Sequence, residues 1–440
     1  MNKFYSSLSI IFFLSALIFA QNKSAQDTLV NNATLNDCIN YALAHQPSVQ
    51  QSLIDEEIAD RVIKGKLADW FPQLNFNFNF QHNYKLPTSI FQGNPVRFGV
   101  VNTSSAQFLL SQTVFNRDVL LASSSGSDVR EQANQFTIKN KIDVVVNVGK
   151  AFYAVLAAQS QIDLVNEDIT RLEQSSKDTY NQYKSGVVDK TDYMRATIAL
   201  NNALAEQKND EESLKSSYAF LKEEMGYSPN GQLSLNSNAD QMENDILVDT
   251  LQAINFENRI EYKLLQTKKR LQEDNLNYYK WSFIPSISAF GAYNFSFLND
   301  EFSKLYKENY PNSYVGLQLS FPIFQGGKRI HEIEQAGLEL DRLEYDLKSL
   351  ENSLNVSYTQ ALSNYKSDLK YFYAQKENAK LAKEVYDIIQ LQYKSGVKSY
   401  LDVITAETQL RTTQVNYIDS LYRLLGSKLE LQKELGLIKY

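Results

Sequence analysis

Two periodicities divide this chain. After Pro72 the residues Leu74-Asn75-Phe76-Asn77-Phe78-Asn79-Phe80 alternate strictly between apolar and polar, the two-residue period of a strand with one apolar face. The same period returns at 104–114, where Ala106, Phe108 and Leu110 alternate with Gln107 and Ser111 although Leu109 intrudes. It returns again at 286–297, from Ile287 to Phe297, and at 313–323, where Val315, Leu317, Leu319 and Phe321 alternate with Gly316, Gln318 and Ser320. Each run is about ten residues, the length a tilted strand needs to cross a hydrocarbon layer. The intervals 83–103 and 298–312 read as long polar loops. Elsewhere the period is helical. The eight prolines fall at 47, 72, 87, 95, 229, 285, 311 and 322, which leaves 96–228 and 323–440 free of the residue a helix interior tolerates least. Between Gln325 and Ser395 apolar residues recur at mixed three- and four-residue spacing, and a helix of about 70 residues would be about 105 Å long.

The helical stretches are copies of one another. Gln182-Tyr183-Lys184-Ser185-Gly186-Val187 recurs as Gln392-Tyr393-Lys394-Ser395-Gly396-Val397, an offset of 210 that holds without a gap to Gly226 and Gly436. Of those 45 aligned positions 14 are identical, against roughly three expected from average residue usage. The glycine of each copy turns the chain between two long helices. The expected organisation is a signal segment over 1–20, a first repeat over 21–226, a linker over 227–250 and a second repeat over 251–440. The first repeat holds strands at about 73–82 and 104–114 and a hairpin at about 116–226. The second holds strands at about 286–297 and 313–323 and a hairpin at about 325–436. The fold class is mainly α with a β-barrel portion, in two tandem repeats of helix, strand, strand and long helical hairpin.

The first twenty residues set the compartment. Lys3 precedes an apolar run from Leu8 to Phe19 and the small Ala20, the layout of a secretory signal, and the run is too short to span a bilayer. Nothing later in the chain is a long uncharged apolar segment, so entry into a membrane would be by β-strands. Trp70 and Trp281, the two tryptophans, lie just before the first and third strands, where a membrane-interface aromatic belt would place them. Four strands cannot close on themselves, and open edges in lipid leave backbone groups that cost several kcal/mol each. Copies must therefore share a barrel. Two would give eight strands with a filled interior, three would give twelve around a wetter lumen, and the Asn, Ser and Gln of the polar face favour the larger.

Charge and chemistry remove other classes. A net charge of −7 and an isoelectric point near 5.3 argue against a nucleic-acid partner. Cys38 is the single cysteine, and three scattered histidines (His45, His82, His331) offer no metal spacing; no cofactor is implied. Gly326-Gly327-Lys328 lacks the first glycine of a phosphate loop, and Asp55/Glu56/Glu57 and Glu211/Glu212 read as solvated helix faces, so no catalytic role is assigned. The competing reading is a soluble periplasmic coiled-coil adaptor or structural protein, which would carry one hairpin flanked by β-domains rather than two.

The tip motif Tyr-x-x-Gly-x5-Asp-x3-Ala appears as Tyr183, Gly186, Asp192, Ala196 and again as Tyr393, Gly396, Asp402, Ala406. Duplicated within this layout, with junctions Gln112-Thr113-Val114-Phe115 and Phe321-Pro322-Ile323-Phe324-Gln325-Gly326-Gly327, it resembles the TolC-like outer-membrane efflux proteins over roughly 30–440. The resemblance implies an outer-membrane homotrimer extending into the periplasm, a twelve-stranded barrel continued by a twelve-helix tunnel. It would serve as the passive exit duct of a tripartite efflux or type I secretion machine. A periplasmic adaptor (a membrane fusion protein) would dock on the tip turns, at Tyr183, Gly186, Val187, Gly396 and Val397, and an inner-membrane transporter would supply the energy. The resemblance also implies a closed gate in which Asp192 is latched by Lys398 and Tyr393 and Asp402 lines the pore. Lys398 stands where the family has arginine, keeping charge without bidentate geometry. Thr405 stands where the type member has a second aspartate, so the anionic ring should be weaker.

Overall fold

The computed structural model describes residues 30–236, 242–243 and 246–440; the signal segment 1–20 and part of the 227–250 linker lie outside the described residues. Strand β1 (Val30–Ala33) is followed by helices α1 (Leu35–His45) and α2 (Pro47–Ala68), then β2 (Gln73–His82), the short strands β3 (Thr88–Phe91) and β4 (Asn94–Arg97), and β5 (Asn102–Phe115). The long helix α3 (Arg117–Lys184) turns into α4 (Lys190–Met225), and β6 (Leu233–Leu235) pairs in parallel with β1. The second half runs α5 (Ile260–Lys280), β7 (Ser286–Asn299), β8 (Asn312–Ser320), α6 (Lys328–Lys394) and α7 (Tyr400–Glu434).

The chain divides into two compact units, one formed by 1–42, 148–245 and 379–422, the other by 43–147, 246–378 and 423–440. The second unit contains the sheet. Its strands run antiparallel throughout in the order β2-β5-β7-β8, so β2 and β8 each keep one edge unpaired among the described residues. The register keeps the sequence alternation in step across all four strands. Asn77 faces Gln107, Gln107 faces Asn294 and Asn294 faces Asn312, which makes one row polar from edge to edge. Asn77 Nδ2 donates to Gln107 Oε1 at 3.4 Å and Asn294 Nδ2 to Asn312 Oδ1 at 2.6 Å along that row. Neighbouring positions point the other way: Leu74, Leu110, Gly291 and Val315 form an apolar row, and Phe76 packs on Phe108 with ring centroids 5.0 Å apart. One face is thus mostly neutral polar, with Leu109 and Phe290 among its side chains, the other is apolar, and β2 and β8 are exposed along nearly their whole length.

Both loops at the far end of the sheet hold more structure than their polar composition suggested. The interval 83–103 contains the β3–β4 hairpin, turned through Gln92 and Gly93 at φ 51° and 82°. In 298–312 the turn Phe302–Lys307 folds back on the apolar face, burying Leu305 and letting the Tyr306 hydroxyl donate to Ser104 Oγ at 3.2 Å. Two further features shape the helical part. The hairpins are lopsided, with outgoing helices of 68 and 67 residues and returning helices of 36 and 35. In the second unit the shorter helices α2 and α5 fill the gap: Thr137 Oγ1 of α3 donates to Ser52 O of α2 at 3.2 Å, and Arg270 of α5 pairs with Asp128 and Glu131 of α3 at 2.9 and 2.6 Å. Helix α3 also holds an 18-residue window of mean hydropathy 1.3. Some 56% of it is buried inside the protein, where Val144, Val145, Val146, Val148, Phe152, Val155 and Leu156 are core residues, so packing against other helices accounts for its apolarity.

Candidate functional site

The first unit ends in two tip turns of the same backbone design. Gly186 (φ 73°) and Gly396 (φ 75°) take the left-handed conformation that closes a helix, with Gly186 N donating to Tyr183 O and Val187 N to Gln182 O at 3.0 and 2.8 Å. Gly396 N and Val397 N repeat the pattern on Tyr393 O and Gln392 O, both at 2.9 Å. This turn leaves Val187 and Val397 protruding, each 71% exposed. Tyr183 stacks on Tyr193 with centroids 6.4 Å apart.

The side chains at the two turns differ in a way that decides which carboxylate is engaged in capping. At the second, Ser399 caps α7: Asp402 N donates to Ser399 Oγ at 3.3 Å, while Ser399 N and Oγ donate to Asp402 Oδ2 at 3.0 and 2.8 Å. This reciprocal capping box occupies Asp402, and the hydrogen bonds from Ser399 hold its carboxyl below the usual carboxylate range. Lys398 pairs with the same carboxylate, Nζ to Oδ1 at 3.7 Å. At the first turn the capping residue is Asp189, which accepts from Thr191 N at 3.1 Å. Asp189 cannot reciprocate with a second acid, so Asp192 is left outside the cap and meets Arg195 at 3.4 Å.

The structure therefore brings Lys398 to Asp402 and Asp192 to Arg195. Tyr393 donates its hydroxyl to Gln182 Oε1 at 2.9 Å, joining the second hairpin to the first, and burial followed by the charges of Asp192 and Asp178 raises its pKa. Thr405 Oγ1 is turned onto its own helix at Leu401 O, 2.7 Å away. Trp70 is 39% exposed in the turn before β2, its carbonyl accepting from Gln112 Nε2, and Trp281 opens the short turn before β7. Cys38 is fully buried and burial pushes its thiol up to about 12, which leaves it inert as a nucleophile at neutral pH.

Below the tips α3 and α7 run antiparallel along a polar seam. Ser175 Oγ meets Tyr400 OH at 2.9 Å, Gln161 Nε2 donates to Asp419 Oδ1 at 2.8 Å, and Ser160 Oγ meets Tyr422 OH at 3.2 Å. Between them sits an ionic cluster. Asp168, 1% exposed, pairs with Arg171 and, at 3.4 Å, with Arg411 Nε; Arg171 Nε lies 3.8 Å from Glu407 Oε1, whose residue is 7% exposed. Burial raises the pKa of both acids, that of Glu407 to about 7, against the opposing pull of the arginines. Apolar packing flanks the cluster, with Ala196, Tyr386, Val403, Ala406 and Leu410 on one side and Val165, Ile169, Leu172 and Ala203 on the other.

Sequence reasoning named the tip residues but not Gln182, Ser399 or this cluster. Gln182 had a signal, since it opens the duplicated motif, and so had Ser399, three residues before an acid at a helix start. The cluster joins residues more than 230 positions apart and has none.

A family model described as "Outer membrane efflux protein" matches this chain twice, over 38–226 and 266–437. The chain belongs to the outer membrane efflux protein family. Each match ends at the close of a hairpin, as a duplicated unit requires. This outer membrane efflux protein is 20% identical over 431 residues to the outer membrane protein TolC of Vibrio cholerae, across 96% of this chain and 92% of that one. Its fold matches a membrane protein from Pseudomonas aeruginosa with a TM-score of 0.74 at 19% identity, covering 91% and 93% of the two chains. It also matches the open state of the Neisseria gonorrhoeae MtrE outer membrane channel, with a TM-score of 0.68 at 18% identity, covering 91% and 88%. Family membership locates the chain in the outer membrane.

Proposed function

We propose that three copies of this chain close a twelve-stranded barrel and form a passive exit duct through the outer membrane, serving a tripartite efflux or type I secretion machine. The observation that carries the reading is the open four-stranded sheet, with one face apolar, the other crossed by a neutral polar row, and both edges unpaired among the described residues. In lipid those edges must find partners, and β8 of one copy has β2 of the next available. Three copies would circle the Asn77, Gln107, Asn294 and Asn312 row around a water path. An apolar exterior and a polar lumen are what a membrane barrel requires.

At the periplasmic end the two tip turns form the gate and the adaptor landing. Val187 and Val397 protrude as small apolar knobs beside Tyr183, Gly186 and Gly396, suited to contact with an adaptor hairpin. Asp192, free of capping, is the acid available to Lys398 and Tyr393 in the closed assembly, with Asp402 and Thr405 toward the pore. Energy comes from an inner-membrane transporter, with the adaptor loosening the tips.

The test is the mass of the protein extracted from outer membranes in detergent. A particle of three copies that conducts ions in planar bilayers is expected. A single-copy particle, or recovery from the soluble periplasm, would overturn the reading.

A further inference from the structure

The ionic cluster between α3 and α7 is built unlike the rest of the seam. Above and below it hydrogen bonds to hydroxyls and to Asp419 join the helices, and further along Lys433 donates to Asp143 at 2.7 Å, whereas here four charged side chains are packed together and three of their polar atoms lack a hydrogen bond. Asp168 Oδ2, Arg171 Nε and Glu407 Oε1 are all buried without a hydrogen bond, although each is within ion-pair reach of an opposite charge. A groove of about 310 Å³ runs alongside, lined by Asp168, Glu407 and Arg411, so water and protons have a path to the acids.

We propose that Asp168, Arg171, Glu407 and Arg411 form a proton-responsive fastener between the two hairpins, holding α3 against α7 under mildly acid conditions and releasing it as the pH rises past neutrality. The inference rests on the duct reading for its consequence, since parting α3 from α7 is a movement by which a gate of this kind would open.

The direction follows from what surrounds Glu407. From α3 it faces Arg171 and Asp168, with Glu167 beside them; from α6, Tyr386; from its own helix, Tyr400 and Arg411. Asp210 of α4 faces Arg411 and draws on that cation, as Asp168 does. Burial and the neighbouring Asp168 charge oppose ionisation of Glu407, and a single arginine at 3.8 Å does not offset them. The closed seam therefore holds the Glu407 proton more tightly than a parted, hydrated seam would. A group that binds its proton more tightly in the packed state stabilises that state at low pH. That contribution is whole below the ordinary carboxylate value of 4.5 and is lost as the pH rises to about 7. Asp168 shifts in the same direction and adds to the effect.

The experiment uses the full-length protein in planar bilayers, recording open probability between about pH 5.5 and about pH 8, with Glu407→Gln as a permanently neutral mimic. Wild-type open probability is expected to rise about tenfold or more over that range, while Glu407→Gln stays at the acid level throughout. A flat wild-type profile, or a Glu407→Gln profile that follows the wild type, overturns the proposal. Glu407→Leu, which fills the same buried space without charge, serves if the glutamine variant does not assemble. If neither protein conducts, the duct reading fails separately, and thermal melting then decides the fastener. A wild-type melting temperature that falls relative to Glu407→Gln as the pH rises supports it, and parallel curves overturn it.

Discussion

Ser399 and Asp402 exchange three hydrogen bonds across the first turn of α7, whereas Asp189 caps α4 alone and leaves Asp192 outside. Two copies of one motif have thus diverged at the capping position, and in one copy only the second carboxylate lies outside the cap, where it meets Arg195. Ser399→Ala removes the oxygen that accepts from the Asp402 amide, and loss of a helix cap costs about 1 kcal/mol. A corresponding loss of stability in thermal or denaturant unfolding is expected, with the same trimer yield. An unchanged unfolding curve would mean that the second tip is not held by its cap. The residue scale is also where the sequence was least informative. Tyr393, Asp192 and Lys398 are visible as types at spacings, yet which carboxylate is occupied depends on hydroxyl geometry that spacing does not encode. The Asp168 and Glu407 environment depends on burial between helices brought together only by the fold.

At the scale of elements, the alternating runs were legible because a strand buried or solvated on one face writes a period of two directly into the sequence. The duplicated Lys-Ser-Gly-Val likewise marks where a long helix must stop, since only glycine takes φ near 75° without strain. The β3–β4 hairpin was hidden because Gln92-Gly93 is an uncommon turn pair and its flanks are short. Across β7 and β8 the register carries a finer constraint. Phe290 lies opposite Gly316, and a Cβ placed there would sit 2.7 Å from the ring. Gly316→Val must therefore displace Phe290, an overpacking that costs about 1–3 kcal/mol. Reduced yield of the heat-resistant assembly is expected for the single variant, with recovery in the Gly316→Val, Phe290→Ala pair. Equal yields for single and double variants would show that the strand pair does not depend on this fit.

For the whole molecule the proposed trimer makes the decisive quantity how three copies add their charges at one constriction. Within a single chain Lys398 and Asp402 form an exposed pair at 3.7 Å, 42% and 39% exposed, and an interaction of this kind contributes little to stability on its own. In a trimer each tip brings Asp192, Asp402 and Lys398 close to the copies of its neighbours, so one substitution is read three times. Lys398→Asp replaces the cation by an acid in every copy and sets it in the turn beside Asp402, where like charges repel. The closed tips should then repel one another, and a larger resting conductance in planar bilayers is expected without any adaptor. Because exposed charges are screened over about 3 Å at 1 M salt and about 10 Å at 0.1 M, the gain should shrink as salt is raised. Conductance equal to that of the unsubstituted protein at low salt would remove Lys398 from the gate. A gain that persists undiminished at high salt would assign it a steric role, and the electrostatic account of closure would fall with it.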